Sequence, residues 1–262
     1  SSGFGRHIAL SLARDGHTIY GTSRKPDKVA DRAELEAAGV SLLPLDVTDS
    51  QSITQCVDAV MQNSGALHVL VNNAGFGLKG AIEETSLEKV RALFDTNFFG
   101  LVEVTNAVLP HMRGAGGGRI INISSLSGLV ASPFAGFYAA SKYAVEGYSE
   151  TLAIEVAGFG IDVVLVEPSY FKTDIVSGYS YADPADQLPA YDTARPVAYE
   201  ESKSSIAHGE DPTKVGHLVQ RIVRARKPRL RYRIGTLAKW VPRLKAIAPR
   251  LVRRVTGRKF GL

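Results

Sequence analysis

Ser125-Leu126-Ser127-Gly128-Leu129-Val130-Ala131-Ser132-Pro133-Phe134-Ala135-Gly136-Phe137-Tyr138-Ala139-Ala140-Ser141-Lys142 is the stretch on which the reading of this chain turns. Tyr138 and Lys142 stand four apart, about one helical turn, so both side chains fit one face of a helix. An ammonium close to a phenol favours the phenolate and draws the tyrosine pKa down from its ordinary value of about 10. A tyrosine tuned in that way can give a proton to a carbonyl oxygen or take one from a hydroxyl. Ser125 closes the apolar run Arg119-Ile120-Ile121-Asn122-Ile123 and lies 13 residues before the tyrosine. Its hydroxyl can bond the same reacting oxygen and hold it in place. A Tyr/Lys pair at this spacing is also a common solvated pair on helix surfaces. The rarer feature is the order: a strand ending in Ser, a glycine-containing turn, then a helix opening with Tyr-x-x-x-Lys.

That order resembles the Ser…Tyr-x-x-x-Lys signature of the short-chain dehydrogenase/reductase family. The resemblance implies an α/β fold of Rossmann type: a doubly wound parallel sheet in three layers, with residues 1–262 forming one domain. It also implies an oxidoreductase that moves hydride between a nicotinamide cofactor and a carbonyl or secondary alcohol. Within it, Tyr138 exchanges the proton, Lys142 lowers its pKa and bonds the nicotinamide ribose, and Ser125 orients the substrate oxygen. Asn97, in Asn97-Phe98-Phe99-Gly100, holds a water that links Lys142 to solvent. On its residues alone, Asn97 equally suits a helix kink near Gly100.

The remaining motifs follow the same pattern. Ser2-Gly3-Phe4-Gly5 opens a helical pattern and matches the second half of the family's glycine-rich turn, where phosphates approach backbone N–H groups at a helix N-terminus. The strand, Thr and first Gly that precede this turn in the family are not in the given sequence, and we expect a clipped sequence rather than a sheet with two unpaired neighbours. His17–Arg24 reads as a strand. Enzymes that prefer NAD carry an acid near its end, and here Thr22, Ser23 and Arg24 stand instead. Arg24 suits a 2′-phosphate, which favours NADP(H) over NAD(H). Asp46 and Val47 follow a third strand and, by resemblance, border the adenine; Asp46 also suits a turn before the helix near 51–63. Asn72-Asn73-Ala74-Gly75 follows the strand Leu67–Val71, and the resemblance brings Asn73, Ala74 and Gly75 to the cofactor ribose. Pro168 would face the nicotinamide ring and Thr173 the carboxamide or pyrophosphate, although Ser169 replaces the family's Gly.

Composition sets the bounds. The chain has 262 residues, 45% hydrophobic content and a single cysteine, which excludes an internal disulfide and fits a reducing, cytoplasmic compartment. No run approaches the roughly 20 apolar residues of a membrane span, no signal peptide is visible, and the six histidines form no ligand cluster, so no metal is expected. The net charge of +5 hides an asymmetry: residues 1–211 hold all 26 acids, while 212–262 hold 16 Lys and Arg and no acid.

The last third of the chain carries the specificity. Residues 179–209, with Tyr179, Tyr181, Tyr191 and Tyr199, stand where the family places a substrate lid, and suit a lipophilic substrate. Arg229–Ile234 alternates as an edge strand. The basic tail 236–262 carries an apolar stripe that Pro242 and Pro249 kink or divide. It packs on the substrate mouth or a second subunit, or it docks reversibly on an anionic membrane. By resemblance a homodimer or homotetramer is expected, and no nucleic acid. The alternative to an enzyme is a catalytically silent NADP(H)-binding sensor or scaffold.

Overall fold

The computed structural model describes residues 3–173 and 178–262. Its first half runs α1 (Gly3–Arg14), β1 (Ile19–Ser23), α2 (Arg32–Ala37), β2 (Val40–Pro44), α3 (Ser50–Ser64), β3 (Val69–Asn72), β4 (Leu78–Lys79), α4 (Leu87–Phe94) and α5 (Gly100–Gly114). The second half runs β5 (Gly118–Ile123), α6 (Gly136–Glu155), β6 (Ile161–Pro168), β7 (Ser180–Tyr181), α7 (Ala194–Ala207), α8 (Thr213–Arg224), β8 (Arg231–Ile234), α9 (Thr236–Ile247) and α10 (Pro249–Lys259).

The sequence alternates strand and helix, and the sheet is accordingly parallel. Strands β3, β5, β6 and β8 pair in that order, β1 pairs with β2, and the short β4 pairs with β7; every ladder is parallel. Parallel strands are covered on both faces, so their apolar runs do not alternate with polar residues. In β6 every residue from Val163 to Pro168 is buried. Alternate side chains feed the two faces. Ile121, Ile123, Val164 and Val166 pack against Ile8 and Leu12 of α1 and Val215, Val219 and Ile222 of α8. Ile120 and Val163 pack on the other side against Val57 of α3, Val108 and Met112 of α5 and Leu152 of α6. The three layers expected from the sequence are present.

The remaining edges of β1 and β3 are not paired with each other. A cavity of about 800 Å³ runs between them, lined by Ile19–Ser23 on one side and Leu67–Asn72 on the other.

Three local departures position the site. A π-helical turn, Asp95–Phe99, interrupts the long helix expected across α4 and α5 and turns Asn97 inward, leaving it 1% exposed. The region read as a lid contains a full helix, α7; its Pro196 sits in the first turn, where a missing N–H costs no helical bond. Arg195 of α7 pairs with the buried carboxylate of Glu84, which also accepts from Leu188 N at 2.8 Å, and so ties the lid to the body. In the tail, Pro249 divides the apolar stripe into α9 and α10, whereas Pro242 stays inside α9. Among the described residues no helix is long and apolar enough to cross a membrane.

Candidate active site

The carboxyl ends of β5 and β6 and the first turns of α6 meet at one place. β5 ends at Ile123, and Ser125 caps the 3-10 turn Leu126–Gly128 by accepting from Ser127 N at 3.1 Å. The chain then enters α6 at Gly136, which puts Tyr138 and Lys142 on the same face. The Lys142 ammonium is buried and donates to the Ile123 carbonyl at 2.9 Å, with the centroid of the Tyr138 ring 6.0 Å away. Burial draws the Lys142 pKa down to about 8, against the pull of Glu146.

The tyrosine differs from the sequence expectation. Burial pushes the Tyr138 phenol above its ordinary pKa; the Ser125 hydroxyl works in the lowering direction, and Tyr170 adds to the rise. Lys142 stays 6.0 Å from the ring centroid and donates to the Ile123 carbonyl, and the burial of the phenol prevails.

Asn97 stands behind the pair. Its Oδ1 accepts from Phe76 N at 3.0 Å, and its Nδ2 donates to Phe76 O at 3.0 Å and to Ser141 Oγ at 3.3 Å. It thus fixes the backbone after Gly75. Gly75 has to be glycine for that approach: a Cβ there would stand 3.0 Å from Asn97 Oδ1 and 3.9 Å from Lys142 Nζ. The helix-kink reading of Asn97 and its closeness to Lys142 hold together.

The expected cofactor residues separate into two neighbouring cavities. Gly5, Thr22, Ser23, Arg24, Asp46, Val47, Asn73, Ala74 and Gly75 line the larger. Phe4, Ser125, Tyr138, Pro168 and Thr173 line a smaller one of about 90 Å³. Gly3, Asn97 and Lys142 line neither, and Ser2 falls outside the described residues. Most of the larger cavity is the slot between β1 and β3, walled by core residues such as Ile19, Leu67 and Val108, and the expected cofactor residues stand at its rim, where β1 and β3 end. At Gly5 a Cβ would lie 2.8 Å from Asn73 Nδ2, so only glycine lets the α1 N-terminus and the β3 loop close around it. Exposed Arg24 makes no ion pair among the described residues. These residues fit a dinucleotide: backbone donors at a helix start and an exposed guanidinium after β1, with Lys142 close behind Gly75. Asp46 forms the turn, accepting from Thr48 N at 3.0 Å and Thr48 Oγ1 at 2.7 Å, while Asp49 caps α3.

Acids and bases beyond the expected set surround the pair. Glu146 of α6 and Glu167 of β6 are buried, and the alternating arginines of β8 face them: Arg231 Nε lies 3.2 Å from Glu146, and Arg233 Nε lies 2.9 Å from Glu167. Their periodicity announced a strand; it also delivered the counter-charges. Burial, with Glu146 nearby, pushes the Glu167 pKa up to about 6. Sequence reasoning also missed Lys79, Tyr170 and Ser202 as walls of the small cavity. Nothing local marked them, since β4 and α7 come close only through the β4–β7 ladder. The lid tyrosines largely pack on each other and on Phe134; of the four named, Tyr179 lines the small cavity.

Comparison with known proteins places this geometry. A family model described as short chain dehydrogenase matches residues 1–183. The chain is 41% identical over 237 residues to a 3-ketodihydrosphingosine reductase of Bacteroides thetaiotaomicron, covering 90% of this chain and 86% of that protein. It is 33% identical over 262 residues to retinol dehydrogenase 8 of Bos taurus, covering 95% and 83%. A short-chain dehydrogenase/reductase from Burkholderia phymatum, solved in complex with NAD, superposes with a TM-score of 0.83 at 26% identity, covering 95% of this chain and 91% of that one.

The buried acid generates a pH prediction. Glu167 binds its proton more tightly folded than unfolded, so its contribution to stability is full below pH 4.5 and is lost as pH rises through about 6. The wild type should therefore lose on the order of 1–2 kcal/mol across that window, and Glu167→Gln should flatten the slope. Urea unfolding at stepped pH measures it; an unchanged slope in the variant contradicts the assignment.

Proposed function

The chain belongs to the short-chain dehydrogenase/reductase family, and from that premise we propose that it moves hydride between NADP(H) and a carbonyl or secondary alcohol of a lipophilic compound. It is an oxidoreductase acting on CH–OH or C=O groups. The observation that supports the finer reading is Ser125 and Tyr138 together on the wall of the smaller cavity, with Lys142 buried one turn from Tyr138 on α6.

A nicotinamide bound there supplies or accepts the hydride. The chain's own residues do the rest. Ser125 holds the substrate oxygen. Tyr138 gives that oxygen a proton during reduction, or takes one during oxidation. Lys142, in its dry setting, would hold the nicotinamide ribose and bias the phenol once the site is filled. Asn97 keeps the Phe76 backbone in register beside them. Gly3, Phe4, Gly5, Asn73, Ala74 and Gly75 would hold the phosphates and ribose, Asp46 and Val47 the adenine, and Pro168 and Thr173 the nicotinamide end. Ser2 belongs with the first group by its place in the sequence.

NADP(H) is supported by Arg24 after β1 and by the lack of an acid at that position. A lipophilic substrate is supported by two relatives, a 3-ketodihydrosphingosine reductase and a retinol dehydrogenase. The small cavity, about 90 Å³, is below the size of pockets that hold such molecules, so residues 179–209 must move aside as a lid for entry. Exposed Phe99 and Ile154, near α5 and on α6, suit a second copy of the chain and hence the expected homodimer or homotetramer.

Tyr138→Phe tests the enzyme reading. Turnover of ketones or alcohols, followed by the absorbance of reduced nicotinamide, should fall by at least about a hundredfold while dinucleotide binding persists. NADPH should be used in preference to NADH. A sensor would be indifferent to the substitution, and equal turnover by the variant would contradict the proposal.

The tail supports contact with an anionic membrane from the cytoplasmic side. Its inner face is packed: Ala238, Val252 and Phe260 are buried, Lys245 donates to Leu129 O at 2.8 Å, and Lys259 pairs with Glu201 at 2.7 Å. Its outer face shows Leu237, Trp240, Leu244, Ile247, Leu251 and Val255 at helical steps, with Trp240 62% and Ile247 85% exposed. Arg250, Arg253 and Arg254 stand beside them without acidic partners among the described residues. A basic, apolar stripe complements a negative lipid surface. Both sequence readings of the tail therefore have a face each. The full chain should pellet with vesicles containing phosphatidylglycerol and not with pure phosphatidylcholine. Reversing Arg250, Arg253 and Arg254 to Glu should weaken this by about fivefold or more per residue. Self-association through the stripe, with no vesicle binding, would overturn it.

A further inference from the structure

Lys79 brings a positive charge to the cavity around Tyr138, and no carboxylate among the described residues pairs with it. Its backbone is fixed on both sides: β4 pairs it with Tyr181 of β7, and Ala182 N donates to its carbonyl at 2.8 Å. The ammonium lies 5.2 Å from the centroid of the Tyr179 ring. Among the described residues no carboxylate pairs with it and no acceptor takes its protons, in contrast to Lys89 nearby, which holds Asp183 at 2.5 Å and Tyr181 O at 2.6 Å. A ring face returns less than the hydration that a buried ammonium gives up. Burial alone draws the Lys79 pKa to about 8, which leaves it mostly charged at neutral pH. A stable fold has little reason to store an unneutralised cation in a cavity; a binding site does.

The surroundings say what kind of ligand fits. Lys79 shares its cavity with Ser125 and Tyr138, and the hydroxyls of Ser127, Ser132 and Ser202 line the same walls. At about 90 Å³ this space takes a compact polar head and not a ring system. We propose that Lys79 is the anion-binding residue of the substrate pocket, and that the substrate carries a carboxylate close to its reacting carbonyl or hydroxyl. The proposal rests on the oxidoreductase reading of the site and narrows it. The substrate is then an amphiphile. Its acidic head sits between Lys79 and Tyr138, and its apolar body leaves beneath the aromatic lid. Lys79 does not join the chemistry; it positions the head so that the reacting oxygen reaches Ser125 and Tyr138.

The test compares 3-hydroxyhexanoate with its methyl ester, oxidised by the full chain with NADP+ or NAD+ and followed by the absorbance of reduced nicotinamide. Calorimetric titration with hexanoate, which has no reacting group, reads anion binding without turnover. The wild type should show a KM for the acid on the order of tenfold below that for the ester, as one charged hydrogen bond provides. Lys79→Met should erase that difference while leaving ester turnover within about twofold, and Lys79→Arg should restore most of it, since the charge is kept. Hexanoate should bind the wild type and the arginine variant, and not the methionine variant. Equal KM values for acid and ester in the wild type, or equal loss of both in Lys79→Met, would overturn the proposal. If neither compound is oxidised but hexanoate still binds through Lys79, the anion site stands and the oxidoreductase reading fails.

Discussion

A buried ammonium under the carboxyl ends of a parallel sheet is the constraint on which this structure depends. Lys142 gives a proton to the last carbonyl of β5, and every neighbouring element answers that charge. Glu146 lies one turn further along α6, Arg231 returns from the edge strand to balance Glu146, and Arg233 balances Glu167. The network crosses α6, β6 and β8. It ties the edge strand, otherwise held by one ladder, to the floor of the active site. Removing one partner would leave another charged group dry, and such groups are costly when unpaired.

The same floor serves two cavities of different character. The larger is bounded by the glycines at the start of α1 and after β3, where side chains would collide with Asn73 or Asn97. The smaller is closed by the β4–β7 ladder and by α7, with tyrosines as its walls. Tyr138 and Ser125 line the smaller. This placement explains how a side chain raised in pKa by burial can still work. The phenol stays protonated and ready to donate while the site is dry, and a positive charge brought close to it shifts the balance toward the phenolate.

Much of this was legible before any coordinates. Tyr138, Lys142 and Ser125 could be placed together because a helical repeat and a strand end are local patterns. The layers were implied by the family resemblance, and the two packed faces of the sheet show them. What escaped was non-local. The direction of the Tyr138 shift follows the burial of its phenol, which only the assembled fold creates. Helix α7 was hidden because the tyrosines of 179–209 were read as a substrate lid, yet a proline is neutral in a first turn and Arg195 pairs with the buried Glu84. Lys79 gave no signal, since a lone lysine after Leu78 is ordinary until a second strand closes over it. The arginines of β8 were read for their period and not for the acids they would meet.

The most direct test of the account is a titration of the Tyr138 phenol itself. Tyrosine labelled with 13C at the ring carbon bearing the hydroxyl reports each phenol by NMR, and the Tyr138→Phe variant assigns the signal. The account predicts that Tyr138 titrates above the ordinary tyrosine value in the free protein and falls below it when NADP+ is bound, because the oxidised nicotinamide adds positive charge beside Lys142. A phenol that titrates at the ordinary value in both states would contradict it.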